Sequence, residues 1–297
     1  PFYLWLGRNW IAGNGYGFMG RADVHHGPLF PLLAGLLNLV TGDLALASDT
    51  LYVVFGASLV LPVYAIGREM YEQRVGLAAG GLTAVFPALT VSVLHWGTMT
   101  EPIYMLFVYV GLWAGAVMVG PAWSPSATSL FQRRAEDPWW AYGVSGFSFG
   151  LAYLTRPEAI GYFLLVGVFF VLLGAIDGRL RQRRFWLKTL LYCAGFGSAF
   201  VPYAIYVHGQ TRSWMVSEKV GVAYLTGIGL APGDTAAFDR ATWGLDSAGL
   251  ETFFFSSESY HVSMLQLVLA DPKTFAQIIY LNTRRSVDVS KEKIDLS

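Results

Sequence analysis

Apolar residues come in long runs near residues 48–67, 75–96, 102–120, 139–154, 159–176 and 189–208. A helix rising about 1.5 Å per residue needs roughly 20 such residues to cross the ~30 Å hydrocarbon layer of a membrane. Leu51 to Ala65 and Gly161 to Ile176 are apolar all round, whereas a helix of a water-soluble core carries a polar face at helical period. The pattern therefore predicts an all-α polytopic membrane protein with six crossings, the fourth of them short for a span. Two further segments differ from these. Residues 28–40 form a short apolar stretch bracketed by Pro28, Pro31 and the stop Thr41-Gly42-Asp43, which predicts a juxtamembrane helix. The tail 209–297 mixes polar and apolar residues, with turn signals at 231–234 and an amphipathic stretch over 271–285.

Composition agrees with a membrane solvent. Of 297 residues 54% are hydrophobic and 13% charged, about half the charge of a soluble domain. Lys+Arg balance Asp+Glu at 20 each, so the basic footprint of a nucleic-acid binder is missing and no nucleic-acid partner is expected. The single cysteine, Cys193, excludes an intramolecular disulfide and a thiolate metal cluster.

Basic residues set the orientation. Arg68 with Arg74, Arg133 with Arg134, and the run from Arg179 to Lys188 fall in loops separated by even numbers of crossings, so all three lie on one face, the cytoplasmic one. The other face receives residues 1–47, the connections 97–101 and 155–158, and the chain after about His208. Residues 1–208 are thus expected as a membrane bundle and 209–297 as an extracytoplasmic loop region. The chain starts at Pro1 without an initiator Met and stops in a charged segment, and it reads as a fragment. The spacings Gly76/Gly80, Gly111/Gly115 and Gly146/Gly150 suit close helix packing.

Charged side chains at membrane depth are costly, which makes them the first candidates for chemistry. Glu101 opens a helix before Pro102, where it either complements the helix dipole or acts as a base. Arg156 sits in Thr155-Arg156-Pro157-Glu158 on the same outer face. It can snorkel to headgroups, pair with Glu158, or clamp a phosphate with two parallel hydrogen bonds. Asp23, His25 and His26 precede the juxtamembrane helix. Adjacent histidines alternate sides of an extended chain and lack the spacing of a zinc pair, so no metal is expected. Gly13 to Gly17 reads as a flexible turn, and no G-x-S-x-G or Walker motif occurs. A carboxylate base, a phosphate-binding arginine and an apolar bundle at one face suit group transfer from a lipid-linked phosphate donor. The competing classes are a transporter, which would place its charges near the midplane in repeated broken helices, and a structural membrane subunit.

Several segments carry a resemblance: His25-His26-Gly27-Pro28-Leu29-Phe30-Pro31, Gly67-Arg68, Arg74-Val75-Gly76, Thr100-Glu101-Pro102, and Gly150 through Tyr153-Leu154-Thr155-Arg156-Pro157-Glu158. With Pro202-Tyr203 and Gly209 through Trp214 to Ser217-Glu218-Lys219, their order resembles the GT-C superfamily of membrane glycosyltransferases, in its protein mannosyltransferase and aminoarabinose transferase group. The resemblance implies a GT-C bundle whose first helix lies upstream, with juxtamembrane helices on the extracytoplasmic face. It also implies inverting transfer there from a polyprenyl-phosphate sugar to a protein, lipid or glycan acceptor, without a cofactor. The family's principal acidic base falls just before Pro1, which leaves Asp23 as a substitute. Glu101 matches the second acidic position and Arg156 the basic position after the fifth helix. Glu158, His25, His26 and Lys219 complete the implied donor or substrate contacts.

Overall fold

The computed structural model describes residues 2–18, 21–85, 100–119, 138–217, 243–245, 252–254 and 264–295. Two compact units divide the chain at Tyr203 and Ala204. The first begins with helix α1 (Phe2–Ile11), a turn and a two-residue hairpin of β1 (Gly17–Phe18) and β2 (Arg21–Ala22). Gly13 and Gly15 hold φ of +79° and +82° in that turn, a region L side chains avoid. Next come α2 (Leu29–Thr41), α3 (Leu44–Ser58), α4 (Val60–Met70) and α5 (Gln73–Val85). The series α6 (Glu101–Val119), α7 (Trp139–Tyr153), α8 (Ala159–Ile176) and α9 (Arg183–Thr211) follows. It is an all-α membrane protein. Leu44–Met70, α6, α8 and α9 are each long and apolar enough to span a bilayer.

Local chemistry explains most boundaries. Gly42 closes α2 at φ +67° and donates its N–H to Asn38 O, while Asp43 caps α3 through Ala45 N and Leu46 N. The run expected at 48–67 extends to 44–70 but is divided at Leu59. Pro62 has no N–H for Ser58 O, and its ring crowds that carbonyl. The expected crossing 75–96 is helical over Gln73–Val85, and its remainder lies outside the described residues. Helix α7, with 15 residues, is short for a span, as its sequence implied. Helix α9 reaches 29 residues because it continues through the basic segment before residue 189.

Glycines set the helix contacts. A Cβ at Gly111 would stand 2.7 Å from the Phe149 ring, so α6 leaves room for a side chain of α7, and one at Gly150 would stand 2.9 Å from Phe196 O, so α7 and α9 approach backbone to backbone. Helices α1 and α2 meet likewise at Gly7 and Gly35. Leu4, Phe30, Ala34, Leu51 and Ile103 form the core joining α1, α2, α3 and α6.

The second unit holds the end of α9, where the His208 and Trp214 rings stack at 4.1 Å, and a hairpin of β3 (Trp243–Leu245) with β4 (Thr252–Phe254). It also contains α10 (Met264–Ala270) and α11 (Pro272–Asp295), the latter covering the expected amphipathic stretch. Asp271 caps α11 through Thr274, which holds the carboxyl below its ordinary pKa.

Candidate functional site

The loop before α2 is locked from several sides. Tyr16 donates its hydroxyl to His26 O at 2.9 Å, and Tyr203, near the far end of α9, donates to the same carbonyl at 3.2 Å. Asp23 receives the His26 N–H on Oδ1 at 2.8 Å, and its Oδ2 lies 3.0 Å from His26 Nδ1. With Nδ1–H donating to the carboxylate, Nε2 carries the acceptor lone pair. The Asp23 side chain is 10% exposed and that of His26 23%. His25 is buried beside it, and the two imidazole rings meet edge-on at 4.8 Å, so the bend in the chain here keeps them together where an extended chain would send them to opposite sides.

Gly27 brings this loop against the turn after α7. A Cβ there would meet the Leu154 and Thr155 carbonyls, and Leu29 donates its N–H to Leu154 O at 3.0 Å. In that turn Arg156 N donates to Ala152 O at 2.9 Å, and Pro157 keeps the chain from continuing α7. The guanidinium donates from Nη1 to Glu101 Oε1 at 2.6 Å, across 55 residues, and Nη2 lies 3.5 Å from Glu158 Oε1. It also lies 5.7 Å from the centre of the Tyr104 ring, one turn into α6. Burial alone would lower the Arg156 pKa. Glu158 and Glu101 outweigh it and hold the pKa above the usual arginine value, so the group stays cationic.

Tyr3, on the first turn of α1, joins the two groups. Its ring meets His26 edge-on at 4.9 Å and Phe30 at 5.9 Å. Burial raises its pKa first. Glu101 raises it next, Arg156 opposes, and Asp23 and Glu158 add smaller contributions, so the hydroxyl shares one electrostatic environment with all four. Asp23, His26, Glu101, Arg156 and Glu158 thus gather at one end of the bundle. At the other end Lys188 packs 5.5 Å from the Trp139 ring centre and 5.4 Å from that of Tyr142. Lys219 lies outside the described residues. No group of three or more metal-ligating side chains occurs among the described residues.

Sequence reasoning missed Tyr3. It is a neutral aromatic in a stretch without helix-start signals, and only the packing of α1 on α2 brings it to the charged cluster. Comparison with curated proteins and with solved structures returns no match. The model of the dolichyl-phosphate-mannose-protein mannosyltransferase family matches residues 25–206, a segment that contains Glu101, Arg156, Glu158 and both histidines, and the chain belongs to that family of membrane glycosyltransferases.

Proposed function

We propose that the protein transfers a sugar, with inversion, from a polyprenyl-phosphate donor to a protein, lipid or glycan acceptor at the extracytoplasmic face of the plasma or inner membrane. The observation that carries the reading is the Glu101–Arg156 contact at the same bundle end as the Asp23–His26 pair. The basic segments around Arg68 and Arg74 and from Arg179 to Lys188, at the other end, support this sidedness through the positive-inside tendency, while Arg133 and Arg134 lie outside the described residues.

Arg156 is the phosphate ligand in this scheme. Of its two carboxylate partners, Glu158 at 3.5 Å and 49% exposed is the looser, so an incoming phosphate displaces Glu158 while Glu101 keeps the guanidinium aimed. The donor's tail lies along the bundle. An apolar cavity of about 380 Å³ between α4, α6 and α8, lined by Ile66, Met70, Tyr109, Met118, Val119 and Phe170 among others, lies toward the end of α6 away from Glu101 and offers an apolar surface to the far part of such a tail. During transfer the acceptor hydroxyl gives its proton to a carboxylate of the site, Asp23 with its hydrogen-bonded His26 or Glu101. The acceptor oxygen bonds to the anomeric carbon as the carbon–oxygen bond to phosphate breaks. Its electron pair remains on polyprenyl phosphate, whose growing charge Arg156 stabilises.

Protein in lipid nanodiscs given polyprenyl-phosphate mannose, glucose or galactose is expected to release polyprenyl phosphate as the sugar passes to an added hydroxyl acceptor or to water, and Arg156→Ala to lose that release. Full donor turnover by Arg156→Ala would remove the scheme. Sidedness is tested in a Cys193→Ser background: a membrane-impermeant maleimide is expected to label Glu158→Cys but not Gln182→Cys in intact cells, and the reverse pattern overturns it.

A further inference from the structure

We infer that Tyr3 and the second carboxylate oxygen of Glu101 form a recognition pair for a hydroxyl of the donor sugar. This rests on the donor reading above and adds a specificity determinant to it. Glu101 is divided in function. Its Oε1 accepts the hydrogen bond from Arg156, while Oε2 is buried with no hydrogen-bond partner among the described residues. Tyr3 packs against the core cluster that contains Phe30 and Ile103, two residues beyond Glu101 on the same helix, and its ring is held between His26 and Phe30. A buried carboxylate oxygen without a donor is unfavourable, and a protein retains one most readily where a ligand completes it.

The ligand group is set by what the two atoms offer. Glu101 Oε2 only accepts. Tyr3, kept protonated by burial and by the neighbouring Glu101 charge, donates at neutral pH. A phosphate oxygen would be repelled by Oε2, and an ammonium has no lone pair for the phenol. A hydroxyl satisfies both, giving its proton to the carboxylate and accepting from the tyrosine. Because Oε1 of the same carboxylate touches the guanidinium that takes the phosphate, the hydroxyl read here lies close to the phosphate. In a glycosyl phosphate that is the hydroxyl on the carbon beside the anomeric one.

The test compares wild type with Tyr3→Phe, which keeps the ring contacts and removes only the hydroxyl. The probes are the polyprenyl-phosphate hexose that wild type accepts and its 2-deoxy counterpart, with kcat and KM measured separately in nanodiscs. Tyr3→Phe is expected to melt within a degree or two of wild type and to lose about tenfold or more in kcat/KM with the full donor, the size of one hydrogen bond to a charged or activated partner. Deleting the donor hydroxyl should cost wild type a similar factor and cost Tyr3→Phe far less, because the same interaction is already gone. Unchanged kcat/KM in Tyr3→Phe, or two losses that simply multiply, overturns the pair while leaving the donor reading intact. A wild-type chain that turns over no polyprenyl-phosphate hexose removes both.

Discussion

Gly27 is where the two halves of the site touch, and replacing it with alanine tests whether their placement matters. The added Cβ would lie 2.7 Å from Thr155 O and 2.8 Å from Thr155 C, and these backbone atoms cannot rotate away. Leu154 O lies nearer still, and ordinary contact needs about 3.5 Å, so the loop carrying Asp23 and His26 must retreat from the Arg156 turn by about 1 Å. Overpacking of this kind costs about 1–3 kcal/mol. The retreat also stretches the 3.0 Å Leu29 N–H bond to Leu154 O and the 3.2 Å Tyr203 bond to His26 O. Misplacing catalytic groups by about 1 Å can cost on the order of 100-fold in rate. Gly27→Ala is therefore expected to melt several degrees below wild type in detergent and to release polyprenyl phosphate about ten- to a hundredfold more slowly. Gly161→Ala, whose new Cβ meets nothing within 4 Å, is the control and should match wild type in both assays. A Gly27→Ala protein with wild-type turnover would show that the loop and the Arg156 turn do not act as one site.

Arg156→Lys keeps the positive charge but loses the fork that reaches Glu101 and Glu158 together, so donor turnover should fall at least about tenfold, and an unchanged rate would contradict bidentate binding. Glu158→Gln removes the carboxylate that competes with phosphate for Nη2, so the donor KM should drop severalfold at low salt and the advantage should shrink as salt rises. A raised KM would reverse the assignment. Tyr3 has a folded pKa above its unfolded value, from burial first and Glu101 second. The stability it adds is complete below about pH 10 and is lost as pH rises through the folded value, because the unfolded chain ionises first. Thermal unfolding above pH 10 should accordingly steepen less with pH in Tyr3→Phe than in wild type, and equal slopes would place the hydroxyl in water.

The membrane architecture was legible because a bilayer imposes a length and a polarity on every crossing, and 102–120 and 159–176 meet both within a residue or two. What periodicity could not reveal was the division at Leu59. It is written in one residue, Pro62, inside an otherwise continuous apolar run. Glu101 and Arg156 could be assigned to one face by counting crossings, but not to one hydrogen bond. That contact depends on α6 packing along α7, where Gly111 leaves room for the Phe149 ring, so that the two ends meet. The Asp23–His26 pair is local, three residues apart, and only its geometry had to be found. Tyr3 is the opposite case. Its sequence neighbourhood is that of any apolar helix, and the two largest charge effects on it come from Glu101 and Arg156, more than 90 residues away along the chain, which reach it only after the bundle has formed. Charge patterning therefore finds the ionised members of such a site. The neutral donor that completes it is found by asking which buried carboxylate oxygen still lacks a proton to accept, and here that oxygen is Glu101 Oε2.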